Sequence, residues 1–176
     1  MKCIILTDIN GLPTKETCFL SGSDRLLSIE RVGLAELLGI SRQGEDLHRA
    51  LIEGGFDVAA AKAFDLFKEA DIGLGYSSGG AVLWKSVLCG LQLQRLVCIS
   101  STRLRDEDPS RMSIPTLTVF GGRDAARLPA SWGTGGNLHV LHLPQAEHAF
   151  YGSMEADWRK CRETVLGFLQ LNGIEA

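Results

Sequence analysis

The stretch that most constrains this chain is Gly75-Tyr76-Ser77-Ser78-Gly79-Gly80. One apolar run, 72–74, leads into it, and a second, 81–88, leads out. The first suits a buried strand and the second a helix. The pattern is G-x-S-x-G with Ser77 at its centre, in the order strand, sharp turn, helix. Only small residues fit beside the serine of such a turn, because strand and helix pass close to each other there. Ser77 is expected to stand above the end of the strand with its hydroxyl exposed. The helix would aim its N-terminus, with its partial positive charge, at the same place. Glycine and serine also populate ordinary turns, so the motif alone equally describes a turn that binds a phosphate or nothing.

The same alternation runs along the rest of the chain. Residues 3–6 form a continuous apolar run, the mark of a strand buried on both faces. Further strands are expected at 25–32, 72–76, 95–100, 115–120 and 138–143. Helices are expected at 14–20, 34–40, 45–53, 57–70, 80–88 and 158–171. Val58, Ala61, Phe64, Leu66 and Phe67 read as the apolar face of the helix at 57–70. Residues 103–113 are polar and charged, a connector, and 131–137 are a glycine-rich loop. Such alternation implies parallel strands joined by right-handed crossovers, with helices on both faces. Ligands bind such sheets outside the carboxyl ends of the strands. Asp8, Ser77, Ser101, Asp124 and His148 each follow an expected strand and should share that edge.

With 176 residues, one domain spanning 1–176 is expected. A chain of this length buries about 70% of the surface it would expose unfolded. The net charge of −3 gives no basis for a nucleic-acid or anionic-membrane partner. No stretch reaches the length of a membrane span, and the apolar start is too short for a signal peptide. Of the five cysteines, Cys3, Cys89 and Cys98 lie in apolar runs and read as buried, reduced thiols. A reducing compartment, the cytoplasm, is the expectation. No Cys/His spacing resembles a zinc site, and no metal or cofactor is expected.

A serine nucleophile needs a base, and the base needs an orienting acid. Asp124 follows a strand through Gly121-Gly122-Arg123, which suits either a carboxylate held at the sheet edge or an exposed turn aspartate. His148 lies a few residues past the last strand, in Gln145-Ala146-Glu147-His148-Ala149-Phe150. His139 and His142 sit within that strand and read as structural, and His48 lies in a helical stretch. The order Ser77, Asp124, His148 is that of the hydrolases built on the strand–turn–helix motif.

At this point the chain resembles the α/β-hydrolase superfamily. The segment Ile114-Pro115-Thr116-Leu117-Thr118-Val119-Phe120-Gly121-Gly122-Arg123-Asp124 is similar to the superfamily's acid strand and turn. Thr7-Asp8-Ile9-Asn10-Gly11-Leu12 and His148-Ala149-Phe150 resemble segments of the dienelactone hydrolase-like group. That resemblance implies oxyanion-hole amides at Ile9 and Ser78. It places Asp8 and Asn10 beside the substrate. Two departures stand out: Ser77 replaces the cysteine of dienelactone hydrolases proper, and Asp8 stands where they carry a glutamate. The chain has no counterpart of the family's two leading antiparallel strands, and its cap shrinks to the connector. A small cap implies an open, shallow site, over which Arg103 or Arg105 could hold an acidic substrate group. The implied fold is a minimal α/β-hydrolase, six mostly parallel strands in the order 2-1-3-4-5-6. The implied function is hydrolysis of a small carboxylic ester or thioester through an acyl-enzyme on Ser77, with His148 and Asp124. The rival is an inactive scaffold of the same fold that binds a ligand or partner. A nucleotide-binding domain is a weaker rival, because the P-loop lysine and the G-x-G-x-x-G pattern are missing.

Overall fold

The strand before Ser77 shows how the sheet is packed. β3 (Ile72–Tyr76) reads Ile-Gly-Leu-Gly-Tyr, and side chains alternate between the faces of a strand. Ile72, Leu74 and Tyr76 therefore enter one core, with Cys3, Ile5, Val97, Ile99 and Val119. Gly73 and Gly75 face the other way, toward α4 (Ser78–Leu88). A Cβ on Gly75 would overlap the backbone of Gly80, and one on Gly73 would press on Leu83 and Leu93. The two glycines thus let α4 lie directly on β3.

The computed structural model describes residues 1–129, 131–133 and 135–171. β1 (Lys2–Leu6), β2 (Ser28–Val32), β3, β4 (Arg95–Ile99), β5 (Thr116–Gly121) and β6 (Leu138–Leu143) form one sheet in the order β2-β1-β3-β4-β5-β6. Every pairing is parallel. On the glycine side of β3 lie α1 (Leu34–Leu38), α2 (Gly44–Ala50), α3 (Phe56–Leu66) and α4, with a core that includes Ile4, Leu6, Leu96, Cys98 and Trp84. On the other side lie α5 (Ala156–Phe168) and the coil of residues 13–27. Trp158, Cys161 and Val165 of α5 cover that core, and the Trp158 indole donates to the Thr17 carbonyl.

Several expectations need correction. Residues 14–20 form turns, not a helix: Thr14 and Thr17 exchange side-chain-to-amide hydrogen bonds, which compete with helical pairing. The strand expected from residue 25 begins at Ser28, after turns closed on the Ser23 carbonyl. A π-turn at Leu51–Gly55 links α2 to α3, where Gly54 has φ 108°. The buried face of α3 is Phe56, Ala59, Ala60 and Ala63, followed by Phe67. Val58, Ala61 and Leu66 point to solvent. A face of alanines brings α3 close to α4, where the Ser86 hydroxyl donates to the Ala60 carbonyl. All five cysteines are free; Cys89, expected to be buried, is exposed at the end of α4. No helix among the described residues is long and apolar enough to cross a membrane.

Candidate active site

Ser77 sits in the tight step between β3 and α4 with φ 49° and ψ −121°, a backbone conformation that non-glycine residues seldom adopt. Its amide donates to the Ile99 carbonyl of β4 at 2.8 Å, which pins the turn to the neighbouring strand. Gly79 fits because a Cβ there would collide with the Leu6 and Thr7 carbonyls at the end of β1. Gly80 leaves room for the Ser101 side chain after β4. The ends of β1, β3 and β4 therefore meet around one serine.

A second close approach brings in the histidine. Cβ atoms on Gly121 or Gly122 would overlap the backbone of Ala146 or Pro144. The turn after β5 can therefore lie against the loop after β6, and the Arg123 amide donates to the Ala146 carbonyl. Asp124, almost fully buried, accepts the Ala126 amide at 2.7 Å on one carboxylate oxygen. Its other oxygen lies 2.8 Å from His148 Nδ1. His148 Nε2 lies 3.0 Å from Ser77 Oγ. The result is a continuous line of hydrogen bonds from serine through histidine to aspartate. About a third of the His148 side chain (36%) remains exposed, so the imidazole reaches both Ser77 and solvent.

The loop after β1 is tied by Asp8. Its Oδ1 accepts the Asn10 and Leu12 amides at 2.8 and 2.7 Å, and its carbonyl accepts the Gly11 amide. The Ile9 amide donates to no described residue, and neither does the Ser78 amide at the first position of α4. Helix-start amides lack an intrahelical partner by construction. Among the described residues both amides are therefore without a protein acceptor, one on the loop after β1 and one directly after Ser77.

The expected site residues do not all converge. Ser77, His148 and Asp124 are joined by hydrogen bonds, Ser78 follows Ser77 at the start of α4, and Ile9 lies on the loop after β1. Asp8, expected beside substrate, is buried, and both carboxylate oxygens are engaged by the protein, Oδ2 by the Tyr151 hydroxyl at 2.9 Å. Asn10 is exposed on the same loop. Ser101 is buried, with its hydroxyl on the Ile99 carbonyl. Arg103 lies in a connector of two short 3-10 turns, half-exposed and 3.7 Å from Asp106. Arg105 instead donates to the Ala125 carbonyl and ties the connector to the Asp124 turn. His139 and His142 lie exposed on β6. Sequence reasoning missed Tyr151 and Thr102. Thr102 Oγ1 is 3.3 Å from Ser78 Oγ, and Tyr151 sits edge-on to the His148 ring. Burial and then the Asp8 carboxylate push the Tyr151 phenol well above its usual range, while the Ser77 hydroxyl pulls the other way. Among the described residues, no group of three or more His, Cys, Asp or Glu side chains could hold a metal ion.

No family model and no curated protein matches the chain. Solved structures do. A dienelactone hydrolase-like promiscuous phosphotriesterase from metagenomic libraries aligns with a TM-score of 0.69 and 17% identity, over 97% of this chain and 86% of that one. An α/β hydrolase enzyme from the metagenome of Mar Chica lagoon sediments in Morocco aligns at 0.62 and 13%, over 96% and 91% of the two chains. The esterase domain of a Rhodothermus marinus protein aligns at 0.61 and 12%, over 97% and 86%. With its strand order and the step that carries Ser77, this likeness over nearly the whole chain gives the protein the α/β-hydrolase fold, in a form similar to the dienelactone hydrolase-like structures.

Proposed function

We propose that the protein is a serine hydrolase that cleaves small carboxylic esters or thioesters through an acyl-enzyme. The observation that carries this reading is the hydrogen-bonded line Ser77 Oγ, His148, Asp124, at 3.0 and 2.8 Å. In the reaction Ser77 Oγ attacks the carbonyl carbon while His148 Nε2 takes its proton. The carbonyl oxygen gains the negative charge and lies against the Ile9 and Ser78 amides. Collapse of this intermediate breaks the bond to the leaving alcohol or thiol, which receives the proton from His148. Water, deprotonated by the same nitrogen, then attacks the acyl-serine; the acyl carbon–Oγ bond breaks, His148 returns the proton to Ser77 Oγ, and the carboxylic acid leaves. Asp124 keeps the proton on Nδ1, so that Nε2 presents its lone pair to the serine, and it stabilises the imidazolium. Fixed amides aimed at the developing oxyanion supply the largest share of such catalysis, and one donor accounts for roughly 10²–10³ in kcat.

We assign two side chains to the substrate: Asn10, exposed on the loop after β1, and Arg103, half-exposed in the connector. The free thiols, four of them buried, support a reducing compartment such as the cytoplasm. The test is a panel of acyl esters and acyl thioesters of graded chain length, with a phosphotriester added because one structural neighbour is described as a phosphotriesterase. Turnover of at least one ester or thioester is expected, and Ser77→Ala should remove it. Turnover that survives Ser77→Ala would refute the assignment.

A further inference from the structure

Tyr151 plays no part in the proton path just described, yet it is buried within the site. Its hydroxyl donates to Asp8 Oδ2 at 2.9 Å across 143 residues of sequence. Asp8 Oδ1 meanwhile holds the Asn10 and Leu12 amides. The carbonyl of Asp8 takes the Gly11 amide, and its own amide is paired with the Leu12 carbonyl. Every amide of residues 8–12 is thus committed except that of Ile9, which donates to no described residue. The end of β1 that carries this loop packs against Gly79, two residues past Ser77.

We infer that Tyr151 is a positioning residue: through Asp8 it holds the loop after β1 so that the Ile9 amide stays free and aimed at the oxyanion. The inference rests on the proposed hydrolase reading and adds a residue to it. Two physical points support it. A carboxylate held by one side only can rotate about χ2, and an anchor on Oδ2 fixes the orientation in which Oδ1 meets both amides. A buried carboxylate close to a developing oxyanion also opposes it electrostatically. Two amides and a phenol spread the Asp8 charge and reduce that opposition. The phenol suits the task because burial and the Asp8 charge keep it protonated and therefore a donor. The ring is fixed from other directions by Tyr76, Phe150 and His148.

Tyr151→Phe keeps that ring packing and removes only the donor. The predicted result is a kcat lower by about ten- to a hundredfold with KM unchanged, short of the roughly 10²–10³ that outright loss of an oxyanion donor costs. Amide hydrogen exchange at Asn10 and Leu12, followed by NMR, should become faster in the variant. Asp8→Asn keeps the size of the side chain and should loosen the same two amides. A Tyr151→Phe protein with wild-type kcat overturns the inference. So does a variant with lowered kcat but unchanged exchange at Asn10 and Leu12, because the phenol would then act at Ser77 and not through Asp8. If the wild-type protein turns over none of the esters or thioesters, the hydrolase reading fails separately, and the exchange rates alone decide whether Tyr151 holds the loop.

Discussion

Two buried carboxylates, Asp8 after β1 and Asp124 after β5, are held in nearly the same way. Each uses Oδ1 to accept the amide two residues ahead, Asn10 in one case and Ala126 in the other. Each uses Oδ2 to hold a ring from one short segment, Tyr151 and His148 respectively. The turns differ in what the ring can do. The imidazole of His148 has a second ring nitrogen, and that nitrogen faces Ser77. Tyr151 keeps its proton, so Asp8 can only be anchored. In the proposed reading, one arrangement serves proton transfer at Asp124 and loop placement at Asp8. A buried aspartate at a strand end is not enough to identify the acid of a serine site; the ring on its second oxygen decides.

The largest expected effect separates the two. Asp124→Asn should lower kcat by about 10⁴, because an amide at that position favours the wrong histidine tautomer. Asp8→Asn should lower it by about ten- to a hundredfold only, less than the loss of an oxyanion donor. Steady-state kinetics on one ester compares them, and equal losses would break the distinction. Alkaline pH sharpens it. The folded-state pKa of Tyr151 is raised, so the folded protein keeps a proton that the unfolded chain gives up near pH 10, the usual phenol value. The stabilisation from this group is whole below about pH 10 and is lost as pH climbs beyond it. Asp8, Asp124, His148 and Ser77 surround the phenol, and raised groups elsewhere, such as Tyr76 and Cys98, add their own slopes. The difference between proteins is therefore the readout. In urea titrations above about pH 10, Tyr151→Phe should lose stability less steeply than wild type. Identical slopes would mean that Tyr151 ionises as freely folded as unfolded.

The smallest effect lies outside both turns. Arg103 is half-exposed, and its contact with Asp106 is long. A pair of this kind contributes about 0–1 kcal/mol. Arg103→Ala should change kcat/KM for an acidic ester by less than about tenfold, the equivalent of 1.4 kcal/mol, and fade as salt is added. A loss of equal size on an acidic ester and a matched neutral one would take Arg103 away from the substrate.

Much of this was legible in the residues. The Ile-Gly-Leu-Gly-Tyr run before Ser77 fixes which face α4 occupies, and continuous apolar runs mark strands covered on both sides. That Ser77, Asp124 and His148 meet at one edge was legible because each follows a strand. The buried face of α3 differs from the expected one because small alanines, and not Val58 or Leu66, allow its close approach to α4. The 14–20 segment looked helical because its own threonine hydroxyls, which take over the amides, are invisible to periodicity. Tyr151 was out of reach for a different reason. Its partner is 143 positions away, and only the closed sheet brings the two together. For the same reason the partners of Asp8 were out of reach: the sequence places it at the sheet edge but does not show the two amides and the phenol that engage it.

The central claim is that Ser77 is a nucleophile activated by the His148–Asp124 pair. A fluorophosphonate probe tests it with no assumption about the natural substrate. Peptide mapping after labelling should find a single adduct, on Ser77. Ser77→Ala should show none, and labelling should slow sharply in His148→Ala and Asp124→Asn. An unlabelled wild-type protein, or an adduct that forms on Ser77 at the same rate without His148, would contradict the account.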